Sequence, residues 1–370
     1  MSDLKATILI NDEEALDLLS SLIEMEVEQD HRMAAVARIK LSMPLDNDGT
    51  WRFLDDERVA AWNQLGITVL IEDTETELFK GYITQIKPHL VTDRNDCCLE
   101  ITGLDATALM SLEEKIKDWP DNSDSDIARA VFQDYGLTPE VDDVEVIHEE
   151  AVSTIIQRET DIRFLMRLAR RNGYECFVNG ESGYFRKPVL DDPPQAVLAA
   201  HFGADTNLMS FHAKLNALRP TTVVMHQLDP IAKEVLDVTV DANEQTQLGN
   251  TAAGSLSVPD GRTPKVFVKH AVATGQPEMQ NLSRALFDEA EWLIEGQGEI
   301  NTIVYGAILE TRKLVPIKGV GEAFSGLYYV TNVRHVFNVG GYTQHFTARR
   351  NALVAAEGDF EAGGLLGGLV

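Results

Sequence analysis

Asp46-Asn47-Asp48-Gly49 comes nearest to a ligand-holding frame, because side-chain oxygens clustered before a glycine are what a calcium loop uses. With Gly49 at the sixth position of such a loop, Pro44 stands first and Asp55 twelfth, where an oxygen ligand and a bidentate Glu are required, so the segment reads as a tight turn. Glu159 and Asp161 have the closeness of an acid/base pair, but they flank the start of a helical pattern, where carboxylates satisfy free N–H groups and the helix dipole. Capping is their expected role. Arg167, Arg170 and Arg171 form a basic cluster on the same helix, read as an ion-paired face, with a subunit contact as the alternative. The nine His residues are scattered, none with a second ligand at short helical or strand spacing. His89 and His335 stand at nearly matching places in an internal repeat and are expected to be twin structural residues. Gly319-Val320-Gly321 opens a GxG but lacks the third glycine and the following helix, so it reads as a turn. No GxSxG elbow, HExxH or phosphate-binding loop occurs. The expectation is no catalytic, cofactor-binding or metal residue, and not an enzyme.

The elements around these residues are mostly strands. Ala6 to Ile10 reads as one, followed by a turn or short helix at Asn11-Asp12-Glu13-Glu14. Ile23 to Glu28 and Ala34 to Met43 form a pair, the second with Arg38, Lys40 and Ser42 alternating with Ala37, Ile39 and Leu41. Gly66 to Glu72 and Phe79 to Pro88 form the next pair, joined by the acidic stretch Asp73 to Glu77, and Leu99 to Leu104 closes this unit. The character then changes. A helix is predicted over Ser125 to Tyr135, with Gly136 at its C′ position, and a second follows Thr160, which can cap, and is stopped by Asn172-Gly173. Tyr174 to Asn179 and Tyr184 to Pro188 make a hairpin. Strands resume at Ser210 to Leu218 and Thr221 to Gln227, and Leu228 to about Thr274 turns polar, as an exposed insertion. Gln276 to Glu295 reads as a helix with Met279, Leu282, Leu286, Ala290 and Leu293 on one side; strands follow at Glu299 to Ile308, Gly326 to Asn338 and Gly341 to Arg349. The glycine-rich tail reads as a mobile terminus or as a partner-docking segment.

One stretch occurs twice in loose form. Phe79-Lys80-Gly81-Tyr82-Ile83-Thr84-Gln85-Ile86-Lys87-Pro88-His89 is answered by Phe324-Ser325-Gly326-Leu327-Tyr328-Tyr329-Val330-Thr331-Asn332-Val333-Arg334-His335, and Leu99-Glu100-Ile101-Thr102-Gly103 by His345-Phe346-Thr347-Ala348. A repeat this far apart predicts two related β-modules in one chain, which suits an assembly part better than an enzyme. The chain has 370 residues, enough for several domains, and is 44% hydrophobic. Its formal charge of −27, from 32 Lys plus Arg against 59 Asp plus Glu, argues against gripping nucleic acid or anionic membranes. Three cysteines form neither a disulfide framework nor a CxxC pair, and no apolar run approaches a membrane span. Folding in a cytoplasm, without a signal peptide, is expected.

Gln157-Arg158-Glu159-Thr160-Asp161-Ile162-Arg163-Phe164-Leu165-Met166-Arg167-Leu168-Ala169, with Asn172-Gly173-Tyr174, resembles the E-(S/T)-D-x-x-F-L-x-R-L-A … G-(Y/F) signature of the phage late control protein D family. Baseplate hubs of contractile tails and the amino-terminal part of VgrG spike proteins share that signature. The segment from Phe324 to Asn351 resembles the family's carboxy-terminal strands, and Phe79-Lys80-Gly81 with Thr102-Gly103-Leu104-Asp105 resembles its first barrel. Together the resemblance spans roughly residues 5 to 353.

The resemblance implies an α+β, mainly β fold. It would hold two tube-like antiparallel β-barrels, with an inserted small α+β domain and a peripheral insertion. The corresponding division is 1–110 for the first barrel, 111–200 for the α+β domain, 201–232 with 300–353 for the second barrel, 233–299 for the peripheral insertion with its helix, and 354–370 for the tail. It implies a homotrimeric baseplate hub of a phage tail or phage-like injection system, assembled in the bacterial cytoplasm. Such a hub joins a sixfold tail tube or tube initiator to a threefold central spike, contacts baseplate wedge proteins, and passes DNA or effector cargo without binding it specifically or inserting in a membrane. An anionic channel wall is a further expectation. The chain ends shortly after Asn351, so the spike is expected on a separate polypeptide. The rival readings are a β-rich cell-wall hydrolase and a carbohydrate-binding adhesin.

Overall fold

The computed structural model describes residues 4–150, 154–229, 232–256, 258–269, 271, 273–356 and 359–360. In chain order, the first strands are β1 (Leu4–Ile10), β2 (Leu22–Asp30), β3 (Val36–Ser42), β4 (Gln64–Ile71), β5 (Thr74–His89) and β6 (Cys98–Leu104). Next come β7 (Glu114–Trp119), α1 (Asp124–Asp134), β8 (Thr138–Val141), β9 (Ile155–Thr160), α2 (Asp161–Asn172), β10 (Glu175–Asn179) and β11 (Ser182–Arg186). The rest comprises β12 (Leu208–Leu215), β13 (Thr222–Leu228), β14 (Val235–Val240), β15 (Lys265–Phe267), α3 (Gln276–Glu291), β16 (Ile294–Asn301), β17 (Leu314–Lys318), β18 (Gly326–Asn338) and β19 (Gly341–Arg350). The fold is thus mainly β with helices added.

Ten of these strands run in one path, β12-β16-β19-β18-β2-β3-β6-β5-β4-β1, and with Glu13–Glu14, β17 and Leu198–Ala199 they make a 13-stranded sheet. The path is open: no sheet closes on itself among the described residues. It is nonetheless two copies of one pattern. The order β2-β3-β6-β5-β4 is repeated by β12-β16-β19-β18-β17, antiparallel at every step. Each copy carries a bulge at the same two places. The β2/β3 register breaks between Leu22 and Glu24, and β12/β16 between Leu208 and Ser210. The β5/β6 register breaks between Ile83 and Gln85, and β18/β19 between Val330 and Asn332. At the second pair the extra residue is a Thr whose Oγ1 donates to a Thr carbonyl on the partner strand, Thr84 to Thr102 (3.2 Å) and Thr331 to Thr347 (3.1 Å). The side chain thereby replaces a ladder bond that a bulge forfeits. Trp62 and Arg312 each take a left-handed backbone and each donate an N–H to the carbonyl before the bulge, Ile83 and Val330, at 2.8 Å.

These pairings revise the register of the sequence repeat. Gln85 corresponds to Asn332, so Gly81 corresponds to Tyr328, and the two Phe-x-Gly runs are offset by two residues. The glycines serve different ends. A Cβ on Gly81 would meet the Leu104 carbonyl oxygen at 2.1 Å, whereas one on Gly326 would meet the Arg350 guanidinium. His89 and His335 are not twins either. His89 is exposed at a strand end; His335 is fully buried with Nδ1 2.8 Å from the Tyr342 hydroxyl, and burial lowers its pKa to about 3.

Between the copies lies an α+β unit cored by Ile127, Phe132, Phe164, Leu165 and Leu168. β13, β14 and β15 form a separate three-stranded sheet that packs on α3 through Val223, Met225, Val238, Met279 and Phe287. The expected insertion is therefore partly a packed sheet. α3 stops at Glu291 because Ile294 is needed in β16, and its buried side uses Ser283 and Phe287 where Leu286 is 46% exposed. The acidic stretch after Asp73 is strand, with the turn one residue earlier at left-handed Glu72. β7, β9 and β17 had no sequence expectation.

The signature around α2 is a packing device. Asp161 is 2% exposed. It accepts from Lys115 Nζ (2.5 Å), Tyr135 Oη (2.7 Å) and Gln157 Nε2 (2.7 Å), and Gln157 Oε1 accepts from Trp119 Nε1 (3.2 Å). Burial pushes its carboxyl up, but Lys115, Gln157 and Tyr135 outweigh that and hold it low. The network clamps the β7–β9 ribbon to α2. Asp161→Ala leaves Lys115, Tyr135 and Gln157 without their shared acceptor and is expected to cost about 2–3 kcal/mol in urea unfolding.

Burial pushes Glu291 up to about 7, with the Asp288 charge adding to it, and pushes Asp288 up to about 6. A raised native pKa means that the contribution is complete below the ordinary carboxylate range and is lost as pH rises through 6 to 7. The double variant Glu291→Gln, Asp288→Asn is therefore expected to gain in urea midpoint relative to the parent between pH 5 and pH 8.

Candidate functional site

The strand period sends alternate residues of the shared sheet to opposite faces. One face packs the apolar cores around Met25, Val27, Ile39 and Leu41 in the first copy and Val330, Val333, Phe346 and Ala348 in the second. The other face is polar in both copies and runs unbroken between them, because β18 pairs with β2 from Asn332↔Asp30 to Asn338↔Glu24. This polar face is the candidate functional surface of the molecule.

Its charges alternate across the strands. Glu24 faces Lys40, Lys40 faces Glu100 and Glu100 faces Lys87. At the junction Arg334 faces Glu28 and lies 3.5 Å from Glu26, while Arg38 lies 3.4 Å from Glu28 and 3.8 Å from Glu26. Two shallow grooves lie on it, of about 430 Å³ beside Glu28, Asn332, Arg334 and His345, and about 560 Å³ beside Glu24, Lys40, Lys87 and Glu100. Acids do not dominate here: Glu24, Glu26, Glu28 and Glu100 each stand beside a Lys or Arg, while Glu299 lies between Ser210 and His345. Opposite charges on neighbouring strands stabilise the pairing, and like charges oppose it.

Behind the junction, buried polar groups tie both copies to the α+β unit. The Arg312 guanidinium lies 3.6 Å from the Phe177 ring centroid and donates to the Asp30 carbonyl. Tyr329 Oη donates to Glu175 Oε2 at 2.8 Å. Burial pushes the Arg312 guanidinium down, against the pull of Glu175 and other neighbouring negative groups. Asp105 accepts from the N–H of Ala35 (2.7 Å) and of Thr107 (3.0 Å).

The candidate chemistry residues fall elsewhere. Asp46 to Gly49 is a turn, with Asp48 Oδ1 accepting from Thr50 and Gly49 at φ 88°. Among the described residues no group of three or more His, Cys, Asp or Glu could hold a metal ion. Thr160 makes no side-chain cap bond, Glu159 pairs with Arg167 at 2.6 Å, and Asp161 serves the buried clamp, so capping is not what these carboxylates do. Arg171 turns inward to Glu278 on α3, and Arg170 is exposed. Gly319 and Gly321 take positive φ in a turn. Sequence reasoning missed Arg312. Its signal would have been its correspondence with Trp62, which only the paired registers reveal. Among the described residues no helix is long and apolar enough to cross a membrane.

Lys40→Glu would set three carboxylates side by side on β2, β3 and β6. It is expected to cost about 1–2 kcal/mol at low salt. The deficit in urea midpoint is expected to shrink in 1 M NaCl, where screening is strong.

Comparison with solved structures places the fold among phage tail proteins. The 43 kDa tail protein of prophage MuSo2 from Shewanella oneidensis matches with a TM-score of 0.67 at 13% identity, over 95% of this chain and 100% of that one. The tail protein from Neisseria meningitidis MC58 matches with 0.63 at 11% identity, over 95% and 98%. An E. coli protein, described as a type VI secretion component similar in structure to the T4 tail proteins gp27 and gp5, matches with 0.54 at 11% identity, over 94% and 76%. These neighbours are described as tail and secretion-system proteins. No curated protein matches the sequence. A family model described as the Alg8 N-terminal domain matches residues 2–338, a different label from late control protein D, and by that match the chain belongs to the Alg8 N-terminal domain family.

Proposed function

We propose that the chain is the baseplate hub of a contractile phage tail or phage-like injection system, akin to late control protein D and the amino-terminal part of VgrG. Three copies form a ring whose six modules meet a sixfold tail tube or tube initiator on one side and a threefold central spike on the other. The polar face of the sheet lines the delivery channel. Residues 1–110 and 201–215 with 294–353 supply the two tube-like modules: β16 pairs within the second copy, and β13 leaves it for the separate sheet, which moves both bounds of the expected division. Residues 111–200 and 222–291 form peripheral units that meet the baseplate wedges.

The observation that carries this reading is the duplication, down to matched bulges and a matched left-handed residue. Six tube subunits cannot meet a simple threefold ring equivalently; a tandem duplication offers six similar surfaces. The fold neighbours described as tail and secretion proteins support the same reading. The alternating charge supports a channel through which DNA or effector passes without adhering, since Arg38 and Arg334 pair with Glu26 and Glu28, and Lys40 and Lys87 stand opposite a Glu across the strands. That replaces the expected anionic wall.

Sedimentation of the purified chain is expected to show a three-copy species. A single copy at every concentration, together with turnover of peptidoglycan, would replace this reading with the hydrolase.

A further inference from the structure

The internal seam shows what a module edge is built to pair with. β2 of the first copy meets the carboxy-terminal half of β18. By the matched registers, β12 corresponds to β2 and the carboxy-terminal half of β5 corresponds to that half of β18. Both counterparts are free: among the described residues no strand lies on the outer edge of β12, or opposite β6 along residues 85–89. We propose that these two edges pair with each other between copies of this chain, residues 85–91 of one against 210–216 of the next, antiparallel with Lys87 opposite Lys214. The proposal rests on the ring reading above and supplies its contact.

The side chains at both edges fit this role. In the internal seam Val333, His335 and Phe337 are buried beside Met25 and Val27. Their counterparts are Ile86, Pro88 and Leu90 on β5 and its extension, and Phe211 and Ala213 on β12. Leu90 is 53% exposed where Phe337 is 6%. Pro88 and Ala213 are exposed where His335 and Val27 are fully buried. Apolar residues are therefore bare at the two places where a second copy would cover them, and an unpaired strand edge is itself a template for pairing. Pro88 lacks an N–H, so that position forgoes one ladder bond.

The two seams differ in charge. Inside the chain Arg334 faces Glu28. Between copies Lys87 would face Lys214, each flanked on its other side by its own Glu, Glu100 and Glu295. Like charges opposite one another weaken a strand pair, so the contact between copies is the more easily parted.

Glu28 and Arg334 form a non-hydrogen-bonded pair, as the His31 N–H bond to the Thr331 carbonyl fixes, so their counterparts have side chains close enough for a disulfide. The test is the full chain carrying Lys87→Cys and Lys214→Cys under mild oxidation; the native Cys97, Cys98 and Cys176 are buried. A covalent species of more than one copy is expected, and none with Lys87→Cys and Ala213→Cys, where the second side chain points to the other face. A three-copy species by sedimentation that forms no cross-link overturns the seam and leaves the ring. A single copy throughout overturns both. As a second variant, Lys214→Glu is expected to tighten association about 2- to 5-fold at low salt. Weaker association would count against the seam.

Discussion

Seven residues of antiparallel pairing between β2 and the end of β18 hold this molecule to its architecture. Sequence separates these strands by some three hundred positions, so closing this contact carries a large loop-closure cost that burial of Met25, Val27, Val333 and Phe337 must offset. Once closed, it turns two modules into one sheet. Everything that makes the polar face continuous depends on it, and so do the grooves beside Arg334 and the buried groups behind the junction. Arg312 marks how tightly the parts are joined: one guanidinium touches the first module's backbone at Asp30 and the α+β unit's Phe177 from within the second module.

The matched bulges give the duplication its mechanical meaning. A bulge adds local twist and bends its strand. Placing one at Thr84 and at Thr331, and another at Ile23 and at Met209, gives both modules the same bend at the same strand positions. The first module carries a further bulge, at Leu78 between β4 and β5, that the second lacks, so the two walls share these bends without being identical. The alternating Glu24, Lys40, Glu100 and Lys87 row makes this face hydrophilic, with both signs of charge interleaved.

Much of this was legible in the residues. Gly326 to Asn338 has the bounds that its composition suggests, and Ile162, Leu165, Leu168 and Ala169, which share one side of α2 by their helical spacing, are buried. The existence of a repeat was legible too. Its register was not, because a bulge inserts one residue that no alternation rule marks, and aligning on the conspicuous Phe-x-Gly runs shifted the copies by two. β7 escaped notice since Ile116 is 88% exposed and breaks the half-buried pattern. The role of Asp161 was hidden for another reason. A carboxylate beside a helix start looks like a cap until Lys115 and Tyr135, distant in sequence, are seen to reach it. The total charge of −27 pointed to an acidic wall, yet on the polar face acids and bases are interleaved.

Electron cryomicroscopy of the assembled particle tests the central claim most directly. The account predicts six equivalent sets of strands from three chains around one passage, with Glu24, Lys40, Arg38 and Arg334 facing inward. A ring that presents this face outward, or a solitary chain closed around a substrate-filled cleft, would contradict it.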